Sequence, residues 1–227
     1  MLNGVAGKRT YNDRCGVARA LDVVGERWAL LVVRELLLGP KRFTDLRAGL
    51  PGISPDVLTQ RLKELEEAEI VERRKLPPPA ASRVYQLTER GEELEPILIQ
   101  LGRWGSATPL PAGEPQMNAD ALLLALKTVF SPGRAGDRSL GVELRLDGED
   151  YGVHITHGAI YTRRGPAAHS DAAIETSPAT LAQVLWHGRS LSKAERGGDL
   201  KVRGSRQAVK RFLGLFPLPS PEPVATR

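Results

Sequence analysis

Four polar side chains could bind an extended, charged partner, because they follow one another within about two helical turns. They are Asp56, Thr59, Gln60 and Lys63, and Arg61 lies on their flank. Carboxylate, hydroxyl, amide and cationic groups in this arrangement can form hydrogen bonds with the edges of nucleic-acid bases and with phosphates. Recognition of a nucleic acid is therefore the first chemistry that the sequence indicates.

The same stretch carries the signals of a helix that would present these side chains. Ser54 can accept a backbone N–H bond as the N-cap, and Pro55 suits the first helical position. Leu58, Leu62 and Leu65 form an apolar stripe on the opposite face, which would pack against a core. Acidic residues crowd the C-terminal end, so we expect the N-terminal half of the helix to face the nucleic acid.

A basic β-hairpin is predicted directly after this helix. Residues 70–76 and 83–87 favour two short strands, joined by the Pro-rich loop 77–82. Cations on such a hairpin would lie along phosphates or enter the minor groove, and a basic pair upstream would hold the DNA backbone as well. These cations are Arg73, Arg74, Lys75 and Arg83 in the hairpin and Lys41 and Arg42 upstream.

Helices are predicted around these elements, at 17–24, 28–38, 43–48 and 88–104. The second of them is apolar nearly all round, which indicates a buried helix, and Pro96 predicts a kink in the last one. Helices followed by a two-stranded hairpin form a winged helix-turn-helix, in which one helix enters the major groove of DNA. We therefore expect a mostly α-helical N-terminal domain with a β-hairpin wing.

The chain of 227 residues is long enough for two modest domains. Its Pro- and Gly-rich stretch 106–118 predicts a linker, which separates a domain at 1–105 from a second domain at 119–216. The prolines that follow predict an extended tail at 217–227.

The second domain is predicted to be α+β, with helices that flank a mostly antiparallel sheet. Its first two strands alternate apolar and polar residues on either side of an Asp147-Gly148 turn. Strands are expected at 140–146, 151–155, 159–163, 172–176 and 199–202, and helices at 120–130, 177–188 and 205–216.

Several classes of function are disfavoured. A single cysteine, Cys15, excludes an internal disulfide framework and a multi-cysteine metal site. His154 and His157 would point to opposite faces of a strand, and no phosphate loop, nucleophile elbow or paired carboxylate signature is found. We expect no catalytic residue, no metal, no cofactor and no enzyme activity. With no apolar run of membrane-spanning length and no secretory signal, we expect a cytoplasmic protein without a membrane partner.

Segments of the N-terminal domain resemble the HxlR family of bacterial regulators, which is related to the MarR group. They are residues 15–28, 42–46, 52–62 and 85–91. The resemblance covers roughly the first 105 residues, with Gly16 where the family usually has proline. It implies a homodimer whose N- and C-terminal helices help to form the interface, bound to a palindromic operator in double-stranded DNA, with 54–65 as the recognition helix.

The residues expected to contact DNA combine the predicted helix, its cap, the wing and the upstream clamp. They are Arg42, Thr44, Ser54, Pro55, Asp56, Thr59, Gln60, Arg61, Lys63, Arg73, Arg74, Lys75 and Arg83.

Some members of this family sense oxidants or electrophiles through a cysteine at the position of Cys15. A thiol at a helix N-terminus has a lowered pKa, which favours the reactive thiolate. The alternative is a small residue without chemistry, which free cysteine often is. With no second cysteine in the chain, any protein disulfide must cross between subunits.

Segments 177–188 and 198–204, with a final helix that ends at Phe216, resemble the C-terminal part of sterol-carrier-protein-like domains. The resemblance covers about half of the second domain and implies a pocket for an apolar ligand between sheet and helices. The implied pocket residues, which could equally fill the core, are Leu181, Leu185, Trp186, Phe212 and Phe216.

The sequence thus predicts a sequence-specific transcription regulator whose second domain senses a small apolar ligand or aids assembly. The alternative is a carrier of lipids or small molecules that keeps a winged-helix module for dimerisation. A basic surface facing the groove would favour the first function, and an acidic or apolar surface the second.

Overall fold

A computed structural model of the chain describes residues 10–77, 82–108 and 117–218. The chain divides into two compact units, Met1–Glu95 and Pro96–Arg227. Parts of three predicted segments lie outside the described residues: the centre of the linker, the tip of the wing loop and most of the tail. The predicted domain limits therefore stay predictions.

The first unit begins with the helices of a helix-turn-helix. They are α1 (Gly16–Val24), α2 (Ala29–Leu36), α3 (Phe43–Gly49) and α4 (Pro55–Glu67). The leucine stripe of α4 is buried, as its spacing predicts, and α4 packs on α1 and α2. This packing leaves the opposite face of α4 in solvent.

Helix α2 is shorter and less buried than the sequence predicts. Trp28 has a left-handed backbone with φ 80°, so it precedes the helix as its N-cap instead of forming its first turn. Such a conformation costs a residue with a side chain roughly 1–2 kcal/mol. A side chain at Gly52, in the turn before α4, would meet the Trp28 ring. Leu31, on the outer side of α2, is 39% exposed.

The predicted wing is confirmed as an antiparallel pair of strands, β1 (Val71–Lys75) and β2 (Arg83–Leu87). Lys41 extends this pair on the other side of β2. Its N–H donates to the carbonyl of Tyr85 at 2.9 Å, and the N–H of Tyr85 donates back at 2.8 Å. The hairpin is thus attached by its backbone to the segment between α2 and α3.

The last predicted helix of this region is two helices, α5 (Glu89–Glu92) and α6 (Leu94–Gly105). The break lies at Glu93, and the kink expected at Pro96 is wrong. Pro96 is the third residue of α6, where a missing N–H leaves no helical hydrogen bond unmade. The proline is therefore accommodated in the first turn.

The second unit is the predicted α+β fold. Its helices are α7 (Ala119–Val129), α8 (Pro132–Ala135), α9 (Pro178–Trp186), α10 (Leu191–Arg196) and α11 (Arg206–Leu213). Its strands are β3 (Leu140–Leu146), β4 (Glu149–Thr156), β5 (Ala159–Arg164), β6 (Ala172–Thr176) and β7 (Leu200–Gly204). The sheet order is β5-β4-β3-β6-β7, with β3 and β6 parallel and the other pairs antiparallel. The short helices α8 and α10 were not predicted.

The core of the second unit lies between the sheet and α11. Phe212 and Phe216 are fully buried and meet edge to face, with ring centroids 4.9 Å apart. Trp186 donates from its indole N–H to the carbonyl of Phe216 at 3.0 Å, which ties the end of α9 to this core.

A buried carboxylate organises the first unit. Glu35 on α2 has no solvent-exposed side-chain surface, and Lys41 Nζ lies 2.6 Å from its Oε2. Arg34 Nη2 lies 2.7 Å from the other carboxylate oxygen. Because a buried charge must be paired, Lys41 is held inside the fold. The predicted role of Lys41 as a DNA clamp is therefore wrong.

We expect Lys41→Met to lower the free energy of unfolding by about 3 kcal/mol, because it removes one partner of a buried carboxylate. Lys63→Met is the matched control. Lys63 is exposed and lies 3.8 Å from Glu67, and such a surface pair contributes about 0.3–0.5 kcal/mol. Urea denaturation of both variants checks the difference. Equal, small changes would contradict the proposed importance of the buried pair.

Candidate nucleic-acid interface

The outer face of α4 is a polar, exposed surface at the start of the helix. The Ser54 hydroxyl accepts the N–H of Val57 at 3.3 Å, so the predicted N-cap is confirmed. The exposed residues of this face that were predicted to contact DNA are Ser54, Pro55, Asp56, Thr59, Gln60 and Lys63. These side chains are in solvent, where a groove of DNA could accommodate them.

Several polar groups on this face are already engaged within the helix. The Thr59 hydroxyl donates to the carbonyl of Pro55 at 2.9 Å. Gln60 Nε2 donates to Glu64 Oε1 at 2.7 Å, and the guanidinium of Arg61 pairs with the other oxygen of Glu64. A base would have to displace these intrahelical bonds before it could use the same groups.

Arg61 is held inside the protein more tightly than its predicted role requires. Only 13% of its side chain is exposed, and Nη2 lies 3.6 Å from Glu26 Oε2 in the turn between α1 and α2. Through this pair, Arg61 links α4 to the preceding helices and holds its orientation. Its predicted contact with a base stays a prediction that would require these ion pairs to open.

Val57 is an apolar residue on this polar face that the sequence analysis did not single out. Its side chain is 37% exposed, although the neighbouring Leu58 is fully buried. The helical spacing predicts this exposure, because Val57 comes one residue before the leucine stripe and must point away from it.

The wing presents its cations in two ways. Arg73 is held by the protein: its Nε lies 3.1 Å from Glu66 Oε1 and its guanidinium 5.1 Å from the centre of the Tyr85 ring. Arg74, Lys75 and Arg83 are exposed, and none of them has an ion-pair partner within the described ranges. Lys75 and Arg83 are directly opposite each other in the strand register.

The predicted clamp upstream of α4 retains one exposed cation. The backbone N–H of Arg42 donates to Asp45 Oδ2 at 3.3 Å, and Thr44 donates to the other oxygen of the same carboxylate. The side chains of Arg42 and Thr44 are exposed at the start of α3. This position is compatible with a contact to the DNA backbone.

Cys15 lies at the N-terminus of α1 and is exposed. Its sulfur closes no capping hydrogen bond, but the N–H groups of Val17 and Ala18 face it and lower the pKa of the thiol below its ordinary value. The thiolate is thus favoured by backbone groups, as expected for a helix N-terminus.

The second unit contains a mostly apolar cavity of about 220 Å³. Its lining residues come from the end of α6, from α7, from α9 and from the chain after α11. They are Gly105, Ser106, Thr108, Met117, Ala125, Val129, Ala179, Ala182, Gln183, Trp186, His187 and Leu218. Small side chains leave the space open, and Gln183 and His187 supply polar groups at its wall.

Of the predicted pocket residues, only Trp186 lines this cavity. Leu181, Phe212 and Phe216 are fully buried in the core instead, and Leu185 lies elsewhere on α9. For these four residues a role in a pocket stays a prediction, because a sequence pattern of apolar residues does not separate those that fill a core from those that border a void.

Among the helices in the described ranges, none is both long and apolar enough to cross a membrane.

Comparison with known proteins assigns the first unit. Residues 23–111 match the model of HxlR-like helix-turn-helix proteins. YvaP of Bacillus subtilis, an uncharacterised HTH-type transcriptional regulator, is 40% identical over 88 residues, which span 39% of this chain and 82% of YvaP. The chain belongs to the HxlR-like helix-turn-helix family.

Another HxlR-like relative is the HTH-type transcriptional regulator YodB of Bacillus subtilis. It is 41% identical over 85 residues, which span 37% of this chain and 76% of YodB. The reduced form of YodB has a solved structure that aligns with 44% of this chain and all of YodB, with 36% identity and a TM-score of 0.39.

The second unit is what distinguishes this member of the HxlR-like family from those relatives. Residues 115–222 match the model of the alkyl sulfatase C-terminal domain, and the two family matches meet inside the predicted linker. The inverting sec-alkylsulfatase Pisa1 from a Pseudomonas species aligns with 50% of this chain and 20% of its own, at 17% identity and a TM-score of 0.43. The predicted likeness to sterol-carrier domains stays a prediction.

The lowered pKa predicts how Cys15 reacts. We expect its alkylation by iodoacetamide to reach its plateau at a lower pH in the folded protein than in guanidinium, because the folded thiol ionises earlier. Below the folded pKa the rate falls as the thiol gains its proton. Cys15 is the only cysteine, so each modified chain reports on it, and Cys15→Ser gives the blank. Coincident pH profiles for folded and unfolded chains would contradict the effect of the helix N-terminus.

Proposed function

We propose that this protein is a sequence-specific transcription regulator that binds double-stranded DNA as a homodimer. The observation that carries the proposal is the exposed polar face of α4 beside a wing with exposed cations. The relatives named HTH-type transcriptional regulators support it. On this proposal α4 enters the major groove, and the protein acts in the cytoplasm with the DNA that it binds.

The wing argues for an anionic partner. Lys75 and Arg83 face each other across the two strands, and like charges in this position repel. An arrangement that costs stability in the free protein is explained if a phosphate lies between or beside the two cations. Arg74, on the same strand as Lys75, would bind the neighbouring phosphate.

The N-terminal turns of α4 argue for a major-groove contact. Asp56 and Lys63 extend from the exposed face, and Gln60 can exchange its bond with Glu64 for one with a base. Arg42 and Thr44 would bind phosphates from α3. Base contacts of α4 then give the sequence preference, while the wing and α3 give affinity for any duplex.

Two helices expose apolar faces that a homodimer would bury. Val17 and Leu21 lie one turn apart on α1, which has no buried residue. On α6, Ile97, Leu101 and Trp104 share one face and are exposed. These are the N- and C-terminal helices of the winged-helix module, and the family resemblance implies that such helices help to form a dimer interface. Two protomers would then hold two α4 helices for the half-sites of a palindrome.

Two sites could regulate this binding. YodB has been solved with a bound quinone and after treatment with diamide, and the exposed Cys15, with its lowered pKa, is the group that would respond to such reagents here. In the second unit, the apolar cavity would take a small apolar ligand, with Gln183 or His187 beside its polar end. A protein that used only this cavity would be a carrier. A measurement of DNA binding therefore distinguishes a regulator from a carrier.

DNA binding is tested with an operator selected by the protein from random duplexes, at several salt concentrations. We expect a complex of two protomers per operator. Arg74→Ala and Arg83→Ala should weaken binding to all duplexes and reduce the slope of log K against log salt by about 0.9 for each phosphate that is no longer neutralised. Gln60→Ala should lower the preference for the operator instead.

Arg196→Ala is the matched control for the wing, since Arg196 is an exposed arginine of the second unit. It should leave both affinity and salt slope unchanged. A wild-type protein that selects no sequence would refute the regulator, and unchanged binding by the wing variants would refute this placement of the DNA.

The cavity is tested with the fluorescent probe anilinonaphthalene sulfonate, whose aromatic rings bind apolar sites. We expect one site per chain, and we expect Ala125→Phe to weaken binding about tenfold because its ring would occupy the cavity. Ala168→Phe adds the same ring at an exposed position of the same unit that does not line the cavity. Equal affinity in all three proteins would place the probe elsewhere.

A further inference from the structure

Val57 is an apolar side chain in the part of α4 that the proposed function inserts into DNA. It is the third residue of the helix, and its backbone N–H is bonded to the N-cap Ser54. The side chain is exposed, whereas the leucine stripe of the same helix is buried. Val57 is 37% exposed, so part of its isopropyl group is open to a partner.

The polar groups beside Val57 are engaged within the protein. Gln60 and Arg61 lie one turn further along the same side of the helix, and both are bonded to Glu64. The exposed side chains of Asp56 and Lys63 lie towards the other side of the exposed face. On this side of α4, the apolar group of Val57 is therefore available to a base, whereas the hydrogen-bond donors are bonded within the protein.

The major groove has one apolar feature that matches an isopropyl group. Each thymine presents its C5-methyl group there, whereas cytosine has a hydrogen and an amino group in the same region. A β-branched side chain in a helix is nearly fixed in one rotamer, so Val57 would lose little conformational freedom when it makes a contact. Removal of two facing apolar groups from water then gives net affinity.

We infer that Val57 contacts the C5-methyl group of a thymine in each half-site and selects thymine at that position. The inference rests on the proposed DNA binding and deepens it, because it names the chemical group that one residue recognises. Valine has no donor or acceptor in its side chain, so discrimination at this position comes from the methyl group alone.

Replacement of single thymines by uracil tests this contact, because uracil differs from thymine only by the absent methyl group. The operator selected by the wild-type protein is prepared with uracil at one symmetric pair of positions at a time. We expect one pair to lower wild-type affinity about fourfold per half-site, which corresponds to one methyl group left in water.

Val57→Ala should lose most of the response to uracil at that pair, since both γ-methyl groups that would face the thymine are gone. Alanine favours a helix and the position is exposed, so the variant should fold, which circular dichroism checks. Thr10→Ser is the matched control, because it removes one methyl group from an exposed residue that is not among those expected to contact DNA. It should keep the full response at that pair.

Each outcome has a distinct meaning. Loss of the uracil response in Val57→Ala alone supports the contact. If the wild type selects an operator but is indifferent to uracil at every position, the contact is refuted while the regulator stands. A response that persists in Val57→Ala refutes Val57 as its cause. A wild-type protein that selects no sequence overturns both proposals.

Discussion

The fold of the first unit depends on a carboxylate that has no access to water. Glu35 is buried on α2, and the cationic side chains of Arg34 and Lys41 lie against its two carboxylate oxygens. Lys41 also pairs by its backbone with Tyr85, so one residue joins α2, the start of α3 and the wing. Since α4 packs on α2 and β1, the same residue helps to hold together the elements that carry the two surfaces that we propose to bind DNA.

Much of this unit is predictable because local chemistry determines it. The N-cap at Ser54, the leucine stripe of α4 and the two wing strands each follow from a few neighbouring residues. The partners of the charged side chains do not follow in this way. Lys41 and Arg61 resemble other surface cations in the sequence, and only the packing of distant segments brings Glu35 and Glu26 to them. The ion pairs of these two cations are accordingly what sequence reasoning did not predict.

In the second unit, too, the elements can be predicted from the sequence but the tertiary contacts cannot. Alternating apolar residues predict its strands, and the helices predicted at 177–188 and 205–216 are found as α9 and α11. Its cavity could not be predicted, since its walls include residues such as Ala125, Ala179 and Ala182 that are too small to meet. A cavity forms where side chains do not meet in the folded chain, and the sequence alone does not show which side chains meet. The large phenylalanines that the sequence offered as walls fill the core instead.

Helix α1 has nine residues and buries none of them, although it carries the chain's one thiol at its N-terminus. So short a helix has little stability of its own, and its persistence depends on what covers its apolar face. In the proposed dimer the partner protomer would cover this apolar face. Association would then hold the backbone groups that acidify Cys15 more firmly than packing on α4 does alone, so the thiol would react faster in a concentrated solution than in a dilute one. Chemical sensitivity would thus be a property of the assembled protein, tied to how much of it the cell contains.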